Sequence, residues 1–338
     1  MNMRRLLLSC VLLCLCAPFA AAQKKKGPPR VKVGDAVDYV FQTPAWNAPE
    51  FRGLADLRGK PVVVQFWSPE QTAVVETDLP KLVQLKKTWG GEVRVIAARF
   101  GEAGADELDK VLLSNKLLNA DVLWLYEAPF VLEGGAADSL ALLTPDGKLE
   151  RFGKPADVRD AVYARLAEFQ LEAQKLPDGA PSKLKKAVDA YAKHEYAAAF
   201  TVLREFESDK KFGETAKGLL ARYKLELDLD LELADRALEL GRIDRVDLIL
   251  GRLNDGLKAH AQWKPRLDEI GRRAEAEAVQ KERAVYKKLA ALEKKLYEKL
   301  DKALPKALDE LADANPGTKA AERAKRLAAA ARAALPAK

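Results

Sequence analysis

Cysteine is almost absent from the sequence. Three cysteines occur in 338 residues, and all lie near the start of the chain, at Cys10, Cys14 and Cys16. Residues 1–22 also contain two arginines, an apolar run over 6–15 and a closing row of alanines, which is the pattern of a secretory signal peptide. Cleavage after Ala22 leaves a chain that starts at Gln23 and has no thiol. That chain cannot form a disulfide or a cysteine-bound metal site, and we expect it to be periplasmic or secreted.

Long apolar runs are also scarce. The run in the signal segment is interrupted at Pro18 and is shorter than the roughly 20 residues that a membrane-spanning helix needs. A lipid anchor at Cys10 is the alternative, but only four residues separate Arg5 from this cysteine, too few for the apolar core of a signal. We therefore predict no stable membrane insertion after cleavage.

Histidine is nearly as rare as cysteine. His194 and His260 are the only two, they are far apart in sequence, and no cysteine lies near them. This spacing excludes the usual zinc sites and a histidine-based catalytic triad, and we expect both side chains on helix surfaces. The sequence therefore predicts no metal and no cofactor.

Charge of one sign is not concentrated anywhere in the folded part. Lys and Arg number 57 against 50 Asp and Glu, and removing the two arginines of the acid-free signal leaves 55 against 50, a net charge of +5. The interleaved signs indicate solvated helix faces and argue against a nucleic-acid partner. The basic stretch 23–32, which contains Gly-Pro-Pro, is predicted to be a disordered linker.

Residues 33–176 alternate between strand and helix patterns. Two β-branched runs at 62–67 and 93–98 predict buried strands, and a Thr-Pro-Asp-Gly turn at 144–147 predicts a hairpin. Helical spacing follows each buried strand and returns over 157–176. This order predicts an α/β domain with helices on both faces of a mixed sheet.

Residues 177–338 are predicted to be entirely helical. Leucine and acidic residues alternate over 225–233, which taken alone is typical of a strand, but strong helix formers flank this stretch. As a helix it would carry two apolar stripes, Leu225, Leu229 and Leu233 on one and Leu227 and Leu231 on the other, and would pack between two neighbours. The half resembles degenerate tetratricopeptide-type helical hairpins, although the spacing of its turns is uneven.

The first half resembles the periplasmic thioredoxin-like reductases of the TlpA and ResA type. The residues that carry the resemblance are Val33-Gly34-Asp35, the segment Leu57-Arg58-Gly59-Lys60-Pro61-Val62-Val63-Val64-Gln65-Phe66-Trp67, Leu79-Pro80-Lys81-Leu82 and Thr144-Pro145-Asp146-Gly147-Lys148. The resemblance implies an α/β thioredoxin-like N-terminal domain at 33–176, followed by the all-α helical-hairpin C-terminal domain at 177–338.

The residues that this family needs for redox chemistry are missing. The two cysteines of its Cys-x-x-Cys motif correspond to Gln71 and Val74, and its cis-proline corresponds to Asp138. Disulfide exchange needs a thiolate and a resolving thiol, which glutamine and valine cannot supply. The resemblance therefore implies a redox-inactive domain whose Trp67 and Glu70, beside the vestigial loop, could line a peptide groove.

Other catalytic or binding motifs are weaker still. The segment 53–60 has the wrong spacing for a phosphate-binding loop and is predicted to be the turn before a strand. The acidic row Asp228, Asp230 and Glu232 lacks the loop of a calcium site, whereas Glu70, Glu76 and Asp78 could form a carboxylate cluster.

Three functions follow as hypotheses. The first is a non-catalytic binding or scaffolding module of the cell envelope with a protein or peptide partner. The second is an enzyme with a carboxylate-based site between the two halves, and the third is a chain that binds only through its helices.

Overall fold

The structure is a computed structural model that describes residues 27–101, 104–118, 122–257 and 260–335. The predicted signal peptide, its cleavage site and all three cysteines lie outside the described residues. No helix within the described ranges combines the length and the apolar character needed to cross a membrane.

The first half is built on a five-stranded sheet in the order β4-β3-β2-β6-β7. Strands β2, β3 and β4 are parallel to one another, whereas β6 runs antiparallel to β2 and forms a hairpin with β7. The strands are β1 (Arg30–Val31), β2 (Val62–Trp67), β3 (Arg94–Arg99), β4 (Leu123–Leu125), β5 (Val131–Leu132), β6 (Leu140–Leu143) and β7 (Leu149–Gly153). This confirms the predicted mixed sheet and the thioredoxin-like fold of the first half.

The linker prediction is wrong at its C-terminal end. Arg30–Val31 forms the short strand β1, which pairs in parallel with β5 outside the main sheet, and the Val31 side chain is buried. Pairing satisfies backbone groups that a disordered leader would leave to water. Residues 23–26, the basic start of the predicted linker, lie outside the described residues.

Helices of the first half follow their strands closely. A π-type turn, Val74–Asp78, leads into α1 (Leu79–Trp89), and then come α2 (Ala105–Ser114) and α3 (Pro155–Gln174). The connections β2-α1-β3 and β3-α2-β4 both step in the same direction along the sheet. Because such crossovers are right-handed, they place α1 and α2 on the same face of the sheet.

The two faces of the sheet therefore have different coverings. Val63 and Trp67 of β2 lie in a core region with buried side chains of α1, α2 and α3. Val64 and Phe66 point the other way, into a core region formed with residues 37–57 and with the second half of the chain. Within the described residues, no buried side chain of α1, α2 or α3 belongs to that second region.

The second half consists of helices throughout its described part, as predicted. Short turns join several antiparallel pairs, and α4 packs on α5, α6 on α7, and α10 on α11. The helices are α4 (Ser182–Ala192), α5 (Tyr196–Phe206), α6 (Gly213–Glu239), α7 (Ile243–Leu257), α8 (Lys264–Ala274), α9 (Glu277–Glu298), α10 (Leu304–Asp313) and α11 (Lys319–Ala334). The tetratricopeptide-like character of these hairpins stays a prediction.

Helix α6 confirms that the leucine-acid alternation is helical. It packs against α5, α7 and α8, and Leu227 and Leu231 are buried as predicted. The second predicted stripe is wrong in part, because Leu225 is 46% exposed and Leu229 is only half-buried. That side of the helix borders a polar cavity between the halves instead of a neighbouring helix.

Ion pairs and hydrogen bonds connect the halves through residues 47–56. The carboxylate of Asp56 accepts a hydrogen bond from Arg236 of α6 at 2.6 Å, and both side chains are largely buried. Arg242, in the turn between α6 and α7, is buried and donates to the backbone oxygen of Asn47. The predicted boundary at 176–177 lies between α3 and α4 and stays a prediction.

Candidate functional site

The position of the redox motif is occupied by a loop with structural interactions. Gln71 follows β2, and its Oε1 accepts a hydrogen bond from the backbone N–H of Ser68 at 2.9 Å. The N–H of Gln71 in turn donates to the Ser68 oxygen at 3.1 Å. Val74 starts the π-type turn and is 5% exposed. Both side chains therefore stabilise the loop and its junction with α1.

The predicted groove residues do not lie together on an open surface. Trp67 is 1% exposed and packs edge-on against Trp124, with 6.4 Å between the ring centroids. The prediction that Trp67 lines a peptide groove is wrong, because the alternation of side chains along β2 places Trp67 on the face that packs against α1. Glu70 is exposed on the loop, away from any described cavity wall.

Asp138 lies two residues before β6, where the resemblance places a cis-proline. Its backbone oxygen accepts a hydrogen bond from the amide of the buried Gln65 at 2.9 Å. All peptide bonds of the described residues are trans. This hydrogen bond connects β2 to the segment that leads into β6. The site has neither a proline nor a cis peptide bond.

The carboxylates near the loop do not assemble into a site. Asp78 forms an ion pair with Arg159 of α3, and both side chains are mostly buried. Glu70 and Glu76 are exposed. Within the described residues, no group of three or more His, Cys, Asp or Glu side chains is arranged to hold a metal ion.

A large cavity lies between the two halves, and we call it the cleft. Its volume is about 780 Å³. Residues of the first half that line it include Glu50, Phe51, Arg94, Val95 and Leu123, and residues of the second half include Asp230, Leu233, Arg245, Leu248, Ile249 and Arg252. This volume lies within the roughly 300–1,000 Å³ of small-molecule sites in proteins.

A smaller polar cavity of about 210 Å³ adjoins the cleft and shares Arg94, His194, Asp230 and Arg252 with it. We call it the tyrosine pocket, after Tyr191, Tyr196 and Tyr223, which line it. Tyr191 stacks on Tyr223 with ring centroids 3.5 Å apart, and its hydroxyl donates to Glu226 at 3.1 Å.

Burial shifts the titration of several groups around the tyrosine pocket. Burial raises the pKa of the Glu226 carboxyl, although Lys60 and Arg222 oppose this shift. Burial is the main cause that lowers the pKa of the Lys60 ammonium, and repulsion from Arg94 lowers it further. Burial also raises the pKa of Tyr196 to about 12. Such perturbed groups in one cavity mark a candidate functional site.

The prediction that both histidines lie on helix surfaces is wrong. His194 occupies the turn between α4 and α5 with φ of 65°, and its Nδ1 lies 2.8 Å from the Tyr196 hydroxyl. His260 precedes α8 and is half-buried against Phe200 and Trp263, with ring centroids 5.3 and 4.5 Å away. The turns that hold them break the helical spacing on which the sequence prediction relied.

The described lining of the cleft and of the tyrosine pocket offers no hydroxyl group of serine or threonine and no thiol. The acids are engaged, because Asp230 pairs with Arg252 and Glu226 pairs with Arg222.

Sequence reasoning missed Arg94, Arg252 and Tyr191. Arg94 is the first residue of β3, Arg252 lies on α7, and Tyr191 ends α4, so no motif connects them. The one signal in the sequence was the charge of Arg94 at the start of β3, a strand that is mostly apolar.

Comparisons with known proteins extend only to solved structures, since no family model and no curated protein matches the chain. The thioredoxin domain of a thiol-disulfide oxidoreductase from Bacteroides vulgatus is 15% identical, over 40% of this chain and 95% of that one, with a TM-score of 0.30. A secreted disulfide oxidoreductase from Mycobacterium tuberculosis is 15% identical, over 39% of this chain and 96% of that one, with a TM-score of 0.28. Likeness at this level carries no argument on activity.

Proposed function

We propose that this protein is an exported thioredoxin-fold protein of the cell envelope that binds a protein or peptide partner and performs no disulfide exchange. The observation that carries the proposal is the composition of the redox loop. Gln71 and Val74 stand where the family has its cysteines, and neither side chain can form a mixed disulfide. The hydrogen bond from Ser68 to Gln71 gives the loop a structural role in its place.

The cleft between the halves supports binding as the activity. It is large, its walls combine apolar and charged side chains, and residues from both halves contribute to it. Sites of this kind hold ligands by burying their apolar surface and orient them with a few polar groups. Export to the envelope is supported by the signal-like residues 1–22 alone.

An exchange assay tests the proposal. The mature chain should neither reduce insulin disulfides nor oxidise a dithiol peptide. The matched control is the double variant Gln71→Cys with Val74→Cys, whose turnover, however slow, would show that the assay detects activity on this scaffold. Turnover by the unmodified chain would contradict the proposal.

An enzyme with a carboxylate-based site is the second candidate. The observation in its favour is the buried Glu226 between Tyr191 and Lys60, because burial holds the pKa of this carboxyl above its usual range and suits it to act as an acid. Hydrolysis of a generic ester or amide by the mature chain, abolished in Glu226→Gln and retained in Glu214→Gln on the exposed start of α6, would establish this candidate.

A further inference from the structure

Arg94 is the one guanidinium of the cleft for which no carboxylate lies within ion-pair distance among the described residues. Its Nε is buried and has no hydrogen-bond partner in the described part of the chain. The guanidinium carbon lies 5.6 Å from the centre of the Phe51 ring. Asp230 and Glu226 attract Arg94 only at longer range, so a bound anion would supply the close partner that this guanidinium lacks.

The neighbouring arginines are already neutralised within the protein. Arg252 pairs with Asp230, and the Nε of Arg245 lies 3.6 Å from Glu50. The described lining of the cleft as a whole is positively charged, because five basic side chains stand against the three acidic ones of Glu50, Asp230 and Asp247. The cleft therefore favours a negatively charged ligand.

Apolar side chains also line the cleft. Leu123, Leu233 and Ile249 line it and are each less than 10% exposed, and Leu248 lies at its rim with 63% exposure. The cleft thus offers a cation at one position and an apolar wall at another.

We propose that the cleft binds a carboxylate attached to an apolar group, with Arg94 holding the carboxylate and Leu248 covering the apolar part. This inference rests on the proposed binding function and specifies its ligand class. A guanidinium presents two parallel N–H donors to a carboxylate, which makes arginine the usual residue for such recognition. The carboxylate can belong to a free fatty acid or to the C-terminus of a peptide that ends in leucine.

Isothermal titration calorimetry on the mature chain tests the ligand class. The probes are octanoate, its neutral counterpart octanamide, the peptide Ala-Ala-Leu-Leu with a free C-terminus, and the same peptide as its C-terminal amide. We expect one-to-one binding of octanoate, of the free peptide or of both, and at least tenfold weaker binding of the matching amide. The acid that binds identifies the source of the carboxylate.

Variants test the position of the site. Arg94→Gln should weaken binding of the acid by about tenfold or more, because the charge-assisted hydrogen bonds are lost. Arg272→Gln, on the exposed surface of α8, removes the same charge outside the cleft and should leave binding unchanged.

A second pair of variants remains informative if Arg94→Gln does not fold. Leu248→Asp places a negative charge at the cleft rim and should weaken binding of the acid several-fold. Leu171→Asp makes the same change at a leucine of α3 that is 69% exposed and lies outside the cleft, and should have no effect.

Equal affinity of acid and amide, equal affinity of Arg94→Gln and the unmodified chain, or failure of both acids to bind would overturn the inference. None of these results would restore disulfide exchange, so the failure of this inference and that of the proposed function remain distinguishable.

Discussion

At the scale of single residues, Gln71 and Val74, the positions that the resemblance equates with a redox motif, stabilise their own loop. Gln71 closes a small hydrogen-bonded ring with Ser68, and Val74 fills the core at the start of the π-type turn. A hydrogen bond of this kind contributes on the order of 1 kcal/mol. The loop therefore keeps the geometry of its fold without a thiol.

His260 gives a pH-dependent test at this scale. Burial and the positive charges of Arg204 and Lys224 lower the pKa of its imidazole. Below the unfolded pKa of about 6.5 the unfolded chain binds a proton that the folded chain resists, so stability is lost as the pH falls from that value towards the folded pKa. Above about pH 6.5, His260 is neutral in both the folded and the unfolded chain, so it adds no pH dependence to the stability.

We therefore expect the melting temperature to fall further between about pH 7.5 and about pH 5.5 in the unmodified chain than in the variant His260→Gln. The measurement is thermal unfolding followed by circular dichroism at both pH values. His194→Gln provides a comparison, because burial also lowers the pKa of His194. Equal losses in the unmodified chain and in both variants would show that neither histidine resists protonation in the fold.

At the scale of elements, the two sides of α6 differ in what they contact. Leu231 is fully buried among α5, α7 and α8, whereas Leu225 is 46% exposed. Leu231→Ala should lower the free energy of unfolding by about 2–5 kcal/mol, because it leaves a cavity in a packed core. Leu225→Ala, the matched change six residues earlier, should stay within about 0.5 kcal/mol.

Urea unfolding of the two variants measures both values. Similar losses would mean that the alternating leucines of α6 are equally buried, which is the arrangement that the sequence predicts and the structure does not have. A loss below about 1 kcal/mol for Leu231→Ala would place α6 at the surface.

The sequence predicts the elements well and the site poorly, for physical reasons. Strands β2 and β3 are mostly apolar because both of their faces are buried, and this pattern is visible in a window of six residues. The cleft, in contrast, joins Arg94 to Asp230 and Arg252, which are more than a hundred positions away. No local pattern carries information about which helix faces which strand.

The histidines show the same limit. Sequence spacing assigns them to helix surfaces because strong helix formers flank them. Their true positions depend on where each helix ends, and His194 lies in the left-handed region of the turn after α4. Helix ends are set by packing and turn geometry, which alanine-rich and leucine-rich patterns do not encode.

At the scale of the whole molecule, the second half completes the fold of the first. Right-handed crossovers leave one face of the sheet without α1, α2 or α3, and that face, with Val64 and Phe66, shares its core with helices of the second half. The sequence predicts that residues 177–338 form an all-α domain of their own. The shared core predicts instead that the two halves unfold together, and the cleft exists only while they are joined.

Equilibrium unfolding of the full chain followed by two probes tests this most directly. Four of the five tryptophans lie in the first half, at 46, 67, 89 and 124, whereas the ellipticity at helical wavelengths comes mainly from the second half. The account predicts that tryptophan fluorescence and ellipticity report one transition with the same midpoint and slope. Two separate transitions would contradict it, because the halves would then be independent domains and the cleft between them would not be a fixed site.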